Sequence, residues 1–182
     1  MKRLAILTPL VALATTLIPS SVVFAQPAGD EVLLQMQQAS RKQDIRALTT
    51  LLPAIQGHPL EVWGHYWALK ARLSSATAQE VEDFLQRWRG TYQEDRLRND
   101  WLLLLGQRRN WAEFERLHTE FRMQDDKQLR CYDLAIASIE GRLPQHASTE
   151  LQQLWMGQPA NDDGCTYAAS TLYAAEQLPA LA

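Results

Sequence analysis

Four histidines, His58, His65, His118 and His146, are the side chains best suited to proton transfer or metal binding, and their spacing serves neither. No H-x-x-x-H or C-x-x-C pattern joins them, so no metal ligand set is expected and no cofactor is implied. Each reads as an ordinary surface or partly buried residue. The acidic pairs Glu94-Asp95, Asp125-Asp126 and Asp162-Asp163 could supply an acid and a base. They fall at or just before helix starts, where carboxylates complement the positive end of the helix dipole, and so read as caps. Arg96, Arg98, Arg108 and Arg109 read as solvated helix surface. Gly-x-Ser-x-Gly, a Gly-rich phosphate loop and His-Glu-x-x-His are absent. No catalytic residue is expected.

The two cysteines, Cys131 and Cys165, are an isolated pair. In an oxidising compartment the simplest reading is one disulfide, which would stabilise the fold by about 3–4 kcal/mol in the chain-entropy model. A metal site sharing His146, or two buried thiols, are the alternatives. Six tryptophans are many for this length. Trp63, Tyr66 and Trp67 stand at i, i+3 and i+4 and so share a helix face, which could stack on sugar rings. The competing reading is core filling, because Leu60, Leu69 and Leu73 lie on or near the same stripe.

Helices must position these residues, because strand alternation and Asn-Gly or Asp-Gly hairpins are missing. Val81, Phe84, Leu85 and Trp88 form one apolar stripe, opened by a Thr77/Glu80 capping box and closed by Gly90. Asn110 with Glu113 repeats the capping signature before Trp111, Phe114, Leu117 and Phe121. The pattern predicts helices near 30–41, 44–53, 60–74, 78–90, 94–108, 111–122, 126–141, 144–157 and 163–176. Hairpins then begin near 30, 60, 94, 126 and 163, the period of tetratricopeptide-like repeats without a residue-level consensus. The expected fold is all-α, a right-handed superhelix or solenoid of stacked antiparallel helical hairpins, favoured over a closed bundle.

At the front, Lys2 and Arg3 precede an apolar run from Leu4 to Phe24, and Val23-Phe24-Ala25 offers small residues for signal peptidase. Pro9, Pro19, Thr15-Thr16 and Ser20-Ser21 interrupt the run and argue against a membrane anchor. Residues 1–25 are expected to be a cleaved signal peptide, and 26–182 one exported helical domain. Without Lys2 and Arg3 the 18 basic residues become 16 against 21 acidic, a net charge of −5. Nucleic acid and anionic membranes are poor partners for that balance.

Several segments resemble the N-terminal superhelical (U-type) domain of soluble lytic murein transglycosylases. They are His58-Pro59-Leu60 with Trp63, Tyr66 and Trp67; Phe84-Leu85-Gln86-Arg87 with Gly90; and Asp95 to Leu102 with Leu105-Gly106. Asn110 to Phe114, Gln128 to Tyr132, Leu154-Trp155 and Pro159 to Cys165 follow in the same order. The resemblance covers approximately 30–170. Asn161-Asp162-Asp163-Gly164 is longer than the family's usual approach to the second cysteine. The resemblance implies a Cys131–Cys165 disulfide, a periplasmic location and peptidoglycan glycan strands as partner. It also implies that the full-length enzyme cleaves the MurNAc-GlcNAc β-1,4 bond to 1,6-anhydromuropeptides through a downstream lysozyme-like domain. Its Glu-Ser, Gly-Leu-Met-Gln and Ala-Tyr-Asn motifs are absent here, so this chain is expected to be an inactive, truncated scaffold. The alternative is a free-standing periplasmic helical-repeat protein that binds a protein partner.

Overall fold

A computed structural model describes residues 29–175, which are helical with no strand among them. The helices are α1 (Asp30–Arg41), α2 (Ile45–Leu51), α3 (Glu61–Lys70), α4 (Ala78–Arg87) and α5 (Tyr92–Gln107). They continue as α6 (Trp111–His118), α7 (Lys127–Ile139), α8 (Ala147–Met156) and α9 (Asp163–Ala174). Short 3-10 turns at Leu52–Ile55 and Leu73–Ser75 follow α2 and α3. The expected signal peptide, 1–25, lies outside the described residues.

Local chemistry sets the boundaries. Thr77 and Glu80 form the expected capping box on α4. Asn110 occupies the corresponding position on α6, but its side chain makes no cap bond, and Glu113 turns instead to Arg116 at 2.7 Å. The Thr91 hydroxyl accepts the Glu94 N–H at 3.2 Å, so α5 begins earlier than its apolar stripe suggests. Helix α6 ends at His118, short of the expected 122. The carboxylate of Asp95 accepts the backbone N–H groups of Arg122 and Met123, at 3.1 and 2.8 Å, and so draws that strand of chain out of the helix.

The odd-numbered helices form a series of parallel neighbours. Asp30 pairs with His58, and Met36 packs over Gly64, where an added Cβ would lie 3.0 Å from the Met36 methyl. Trp63 meets Tyr92 at 6.1 Å between ring centroids, and Lys70 bonds Asp100. Asn99 donates to Asp126 at 3.1 Å, and the Tyr132 ring covers Gly106. Cys131 meets Cys165, and Ser138 donates to the Thr171 carbonyl at 3.4 Å. In every case residue numbers rise together. Helix α7 packs most extensively on α9, while α4 and α6 lie against α5, and α8 against α7 and α9.

A residue-level repeat emerges from these contacts although none was expected. Gly57 and Gly90, Glu61 and Glu94, Thr77 and Asn110, Glu80 and Glu113, Val81 and Phe114, and Phe84 and Leu117 each stand 33 residues apart. Gly57 and Gly90 both adopt a left-handed turn, φ +78° and +85°, which glycine enters without steric cost. Four residues on, the carboxylate of Glu61 or Glu94 accepts that glycine's N–H and binds an arginine at the far end of the same helix pair, Arg87 or Arg122.

The apolar residues form three clusters along the chain. Met36, Leu48 and Ile55 seat α1 and α2 against α3. Phe84, Leu97, Trp101, Phe114 and Tyr132 belong to the central cluster. Leu134, Ala147, Leu151 and Leu172 surround the cysteines at the far end.

Candidate functional site

The stripe of Trp63, Tyr66 and Trp67 divides between core and surface. Tyr66 points inward, 5 % exposed, with its hydroxyl donating to Asp100 at 2.8 Å and receiving Lys70 Nζ at 3.1 Å. Burial raises its pKa, and the neighbouring Asp100 carboxylate adds to the rise. Tyr66 therefore serves the α3–α5 seam and is not available to a ligand on that face. Trp63 and Trp67 remain half-buried, with ring centroids 5.6 Å apart.

Those two indoles line a groove of about 470 Å³ between α1 and α3. Leu33 and Leu34 face them from α1, and Leu60 closes the end just before α3. Leu34 and Leu60 are about half exposed, 51 % and 48 %, so this apolar floor is open to solvent. Gln37, Ser40 and Arg41 supply the polar rim. Their side chains make no hydrogen bond or ion pair to other described residues. A cleft of this size, apolar beneath and sparsely polar at the edge, has the make-up of small-ligand sites.

No protein-family model, curated protein or solved structure matches this chain.

A second cleft, of about 240 Å³, lies between α3 and α4. There His65 leans on Trp88, and burial lowers the His65 pKa, with Arg87 adding to the effect. Its charges are already satisfied internally, Arg72 by Glu80 and Arg87 by Glu61. The α1–α3 groove is the better candidate because its polar side chains are uncommitted among the described residues.

The arginines expected on the surface separate. Arg98 is buried, 3 % exposed, and its guanidinium donates to Glu94 at 2.5 Å and Glu120 at 3.3 Å. Burial favours the protonated form of Glu94, but Arg98 and Arg122 outweigh it and hold the carboxyl below its usual range. Glu94 and Asp95 thus stand in the first turn of α5, as their position suggests, but both are buried and also bind the chain around Arg122. Asp126 and Asp162 do cap, accepting from the first-turn N–H groups of α7 and α9.

Arg109 makes a clamp that skips a helix pair. It grips Asp163 with two nitrogens, at 2.5 and 3.0 Å, and lies 3.9 Å from the centroid of the Tyr167 ring. Tyr132 donates to the same carboxylate at 2.5 Å. Beside this clamp Cys131 and Cys165 sit as a disulfide-forming pair, Cα atoms 4.8 Å apart. Of the histidines, His58 is buried against Asp30, and His118 lies 3.3 Å from Asp133. No group of three or more His, Cys, Asp or Glu side chains is arranged to hold a metal ion among the described residues. No described helix is long and apolar enough to cross a membrane.

Proposed function

We propose that this chain is an exported, superhelical scaffold, the N-terminal part of a periplasmic soluble lytic transglycosylase, that holds peptidoglycan glycan for a catalytic domain elsewhere. The observation that carries this reading is the parallel series of odd-numbered helices. It advances by one helix pair at each seam and ends on a cysteine pair at the positions the resemblance requires. A solenoid of stacked right-handed hairpins satisfies those contacts, since each pair touches mainly its neighbours. In the full-length enzyme a glutamate would protonate the glycosidic oxygen and then help the C6 hydroxyl attack C1, giving the 1,6-anhydro sugar. The contribution of this region would be positioning, holding the strand at the correct angle to that glutamate.

Ile139 and Tyr173, exposed together near the C-terminal ends of the parallel helices α7 and α9, favour a second reading. They would form a docking face for a protein partner of a free-standing helical-repeat protein. Co-sedimentation of the purified full chain with peptidoglycan sacculi separates the two. Retention in the pellet, competed by soluble glycan fragments, is expected from the first. A chain that stays in the supernatant would leave only the second.

A further inference from the structure

The groove between α1 and α3 is specific enough in chemistry to name its ligand class. A pyranose has a face of C–H bonds and an edge of hydroxyls. The C–H face carries slight positive charge and meets the negative face of an indole favourably. Trp63 and Trp67 supply two such rings, close enough together to support adjacent sugar units, with Leu34 and Leu60 extending the apolar floor. Gln37 and Ser40 stand along the rim with donors and acceptors not used elsewhere in the described structure.

Arg41 adds a charge requirement. The chain has a formal net charge of −3, and most of its arginines are drawn into ion pairs such as Arg87–Glu61, Arg109–Asp163 and Arg116–Glu113. Arg41, exposed on the rim, has no carboxylate partner among the described residues. Its planar fork suits a carboxylate on the ligand, held by two parallel hydrogen bonds.

We propose that the α1–α3 groove binds a pyranose bearing a carboxylate substituent, with the sugar on Trp63 and Trp67 and the carboxylate on Arg41. This rests on the glycan-holding function proposed above and places it at one site. In a cell-wall glycan the matching group is the lactyl carboxyl of muramic acid, which is a free carboxylate where the stem peptide has been removed.

Calorimetry and tryptophan fluorescence on the full chain can test it with two probes. One is the disaccharide of N-acetylglucosamine and N-acetylmuramic acid with its lactyl carboxylate free, and the other is chitobiose, which has no carboxylate. The disaccharide should bind with a change in tryptophan emission, and chitobiose about tenfold more weakly. Arg41→Gln, at a position without side-chain partners among the described residues, should remove that preference and leave the melting temperature unchanged. Trp63→Leu, which keeps apolar bulk, should weaken both probes. Equal affinities unaffected by Arg41→Gln would overturn the carboxylate assignment. If neither probe binds while the chain still co-sediments with sacculi, the groove assignment fails and the glycan-holding function stands. If sedimentation fails as well, both fall.

Discussion

The two repeats at 57–89 and 90–122 and the region from α7 to α9 are tied by different means and at different levels, within a helix pair in the repeats and between successive pairs at α7 and α9. In the repeats, a glutamate in the first turn of the odd helix bridges its preceding glycine and an arginine at the far end of the same helix pair. Between α7 and α9 the bridge is the cysteine pair, reinforced by Arg109 stacked on Tyr167 and bonded to Asp163. Even the two glutamates differ, because Glu61 meets an arginine that is half exposed whereas Glu94 is wholly buried with Arg98. A repeated motif therefore fixes the geometry of a seam, while its burial decides how much the seam depends on it.

The largest expected effect comes from Glu94→Ala, which would leave the buried Arg98 without its closest anion. Urea denaturation should show a loss of about 3–5 kcal/mol. Glu61→Ala, one repeat earlier, should cost only about 0.5–1 kcal/mol because water screens Arg87. Equal losses would remove burial as the distinction between the repeats.

Replacing both Cys131 and Cys165 by serine should cost about 2–4 kcal/mol. Hydrogen exchange should quicken in α9, while amides of α3 and α5 keep their protection. Uniform loosening along the whole chain would contradict a seam-by-seam structure.

Gly106→Ala comes next. An added Cβ would stand 2.3 Å from the Tyr132 ring, and moving that ring strains its bond to Asp163. A loss of about 1–3 kcal/mol in the same denaturation assay is expected. Gly57 and Gly90 lie in open space, so alanine there would incur only the strain of a positive φ.

Acid should weaken the glutamate seams most gently. The Gly57 amide, followed by Arg87, lowers the pKa of Glu61, and Arg72, followed by Thr77, holds Glu80 down at about 2. With Glu94 also depressed, the unfolded chain binds more protons in acid than the folded one. Their stabilisation is full above the ordinary glutamate value, about 4.5, and is lost as pH falls through the lower folded values. Melting temperature should decline below that point, and Glu94→Gln should flatten part of the decline. A melting temperature independent of pH down to 3 would contradict the assigned ion pairs.

Much of the fold was legible in the sequence because capping chemistry is local. Thr77 with Glu80 marks the start of α4, and Asp162 opens α9. The inward turn of Tyr66 was not legible, since its direction depends on Asp100 in the next helix pair. Arg98 was misplaced because charge ordinarily signals surface. Glu94, Arg98, Trp101, Leu102 and Leu105 nevertheless fall at i, i+4, i+7, i+8 and i+11, one buried face on which the ion pair replaces two apolar residues. The 33-residue repeat was hidden because equivalent core positions exchange Val81 for Phe114 and Phe84 for Leu117, which keeps pattern but not identity. The groove needed α1 to be placed beside α3, a contact no local pattern records.

The proposed function requires that this chain grip glycan and leave cutting to another domain. Incubation of the purified full chain with sacculi, followed by mass spectrometry of the supernatant and assay of protein in the pellet, tests both halves at once. The predicted result is protein retained in the pellet with no 1,6-anhydromuropeptides released. Released anhydromuropeptides, or protein remaining wholly in the supernatant, would contradict it.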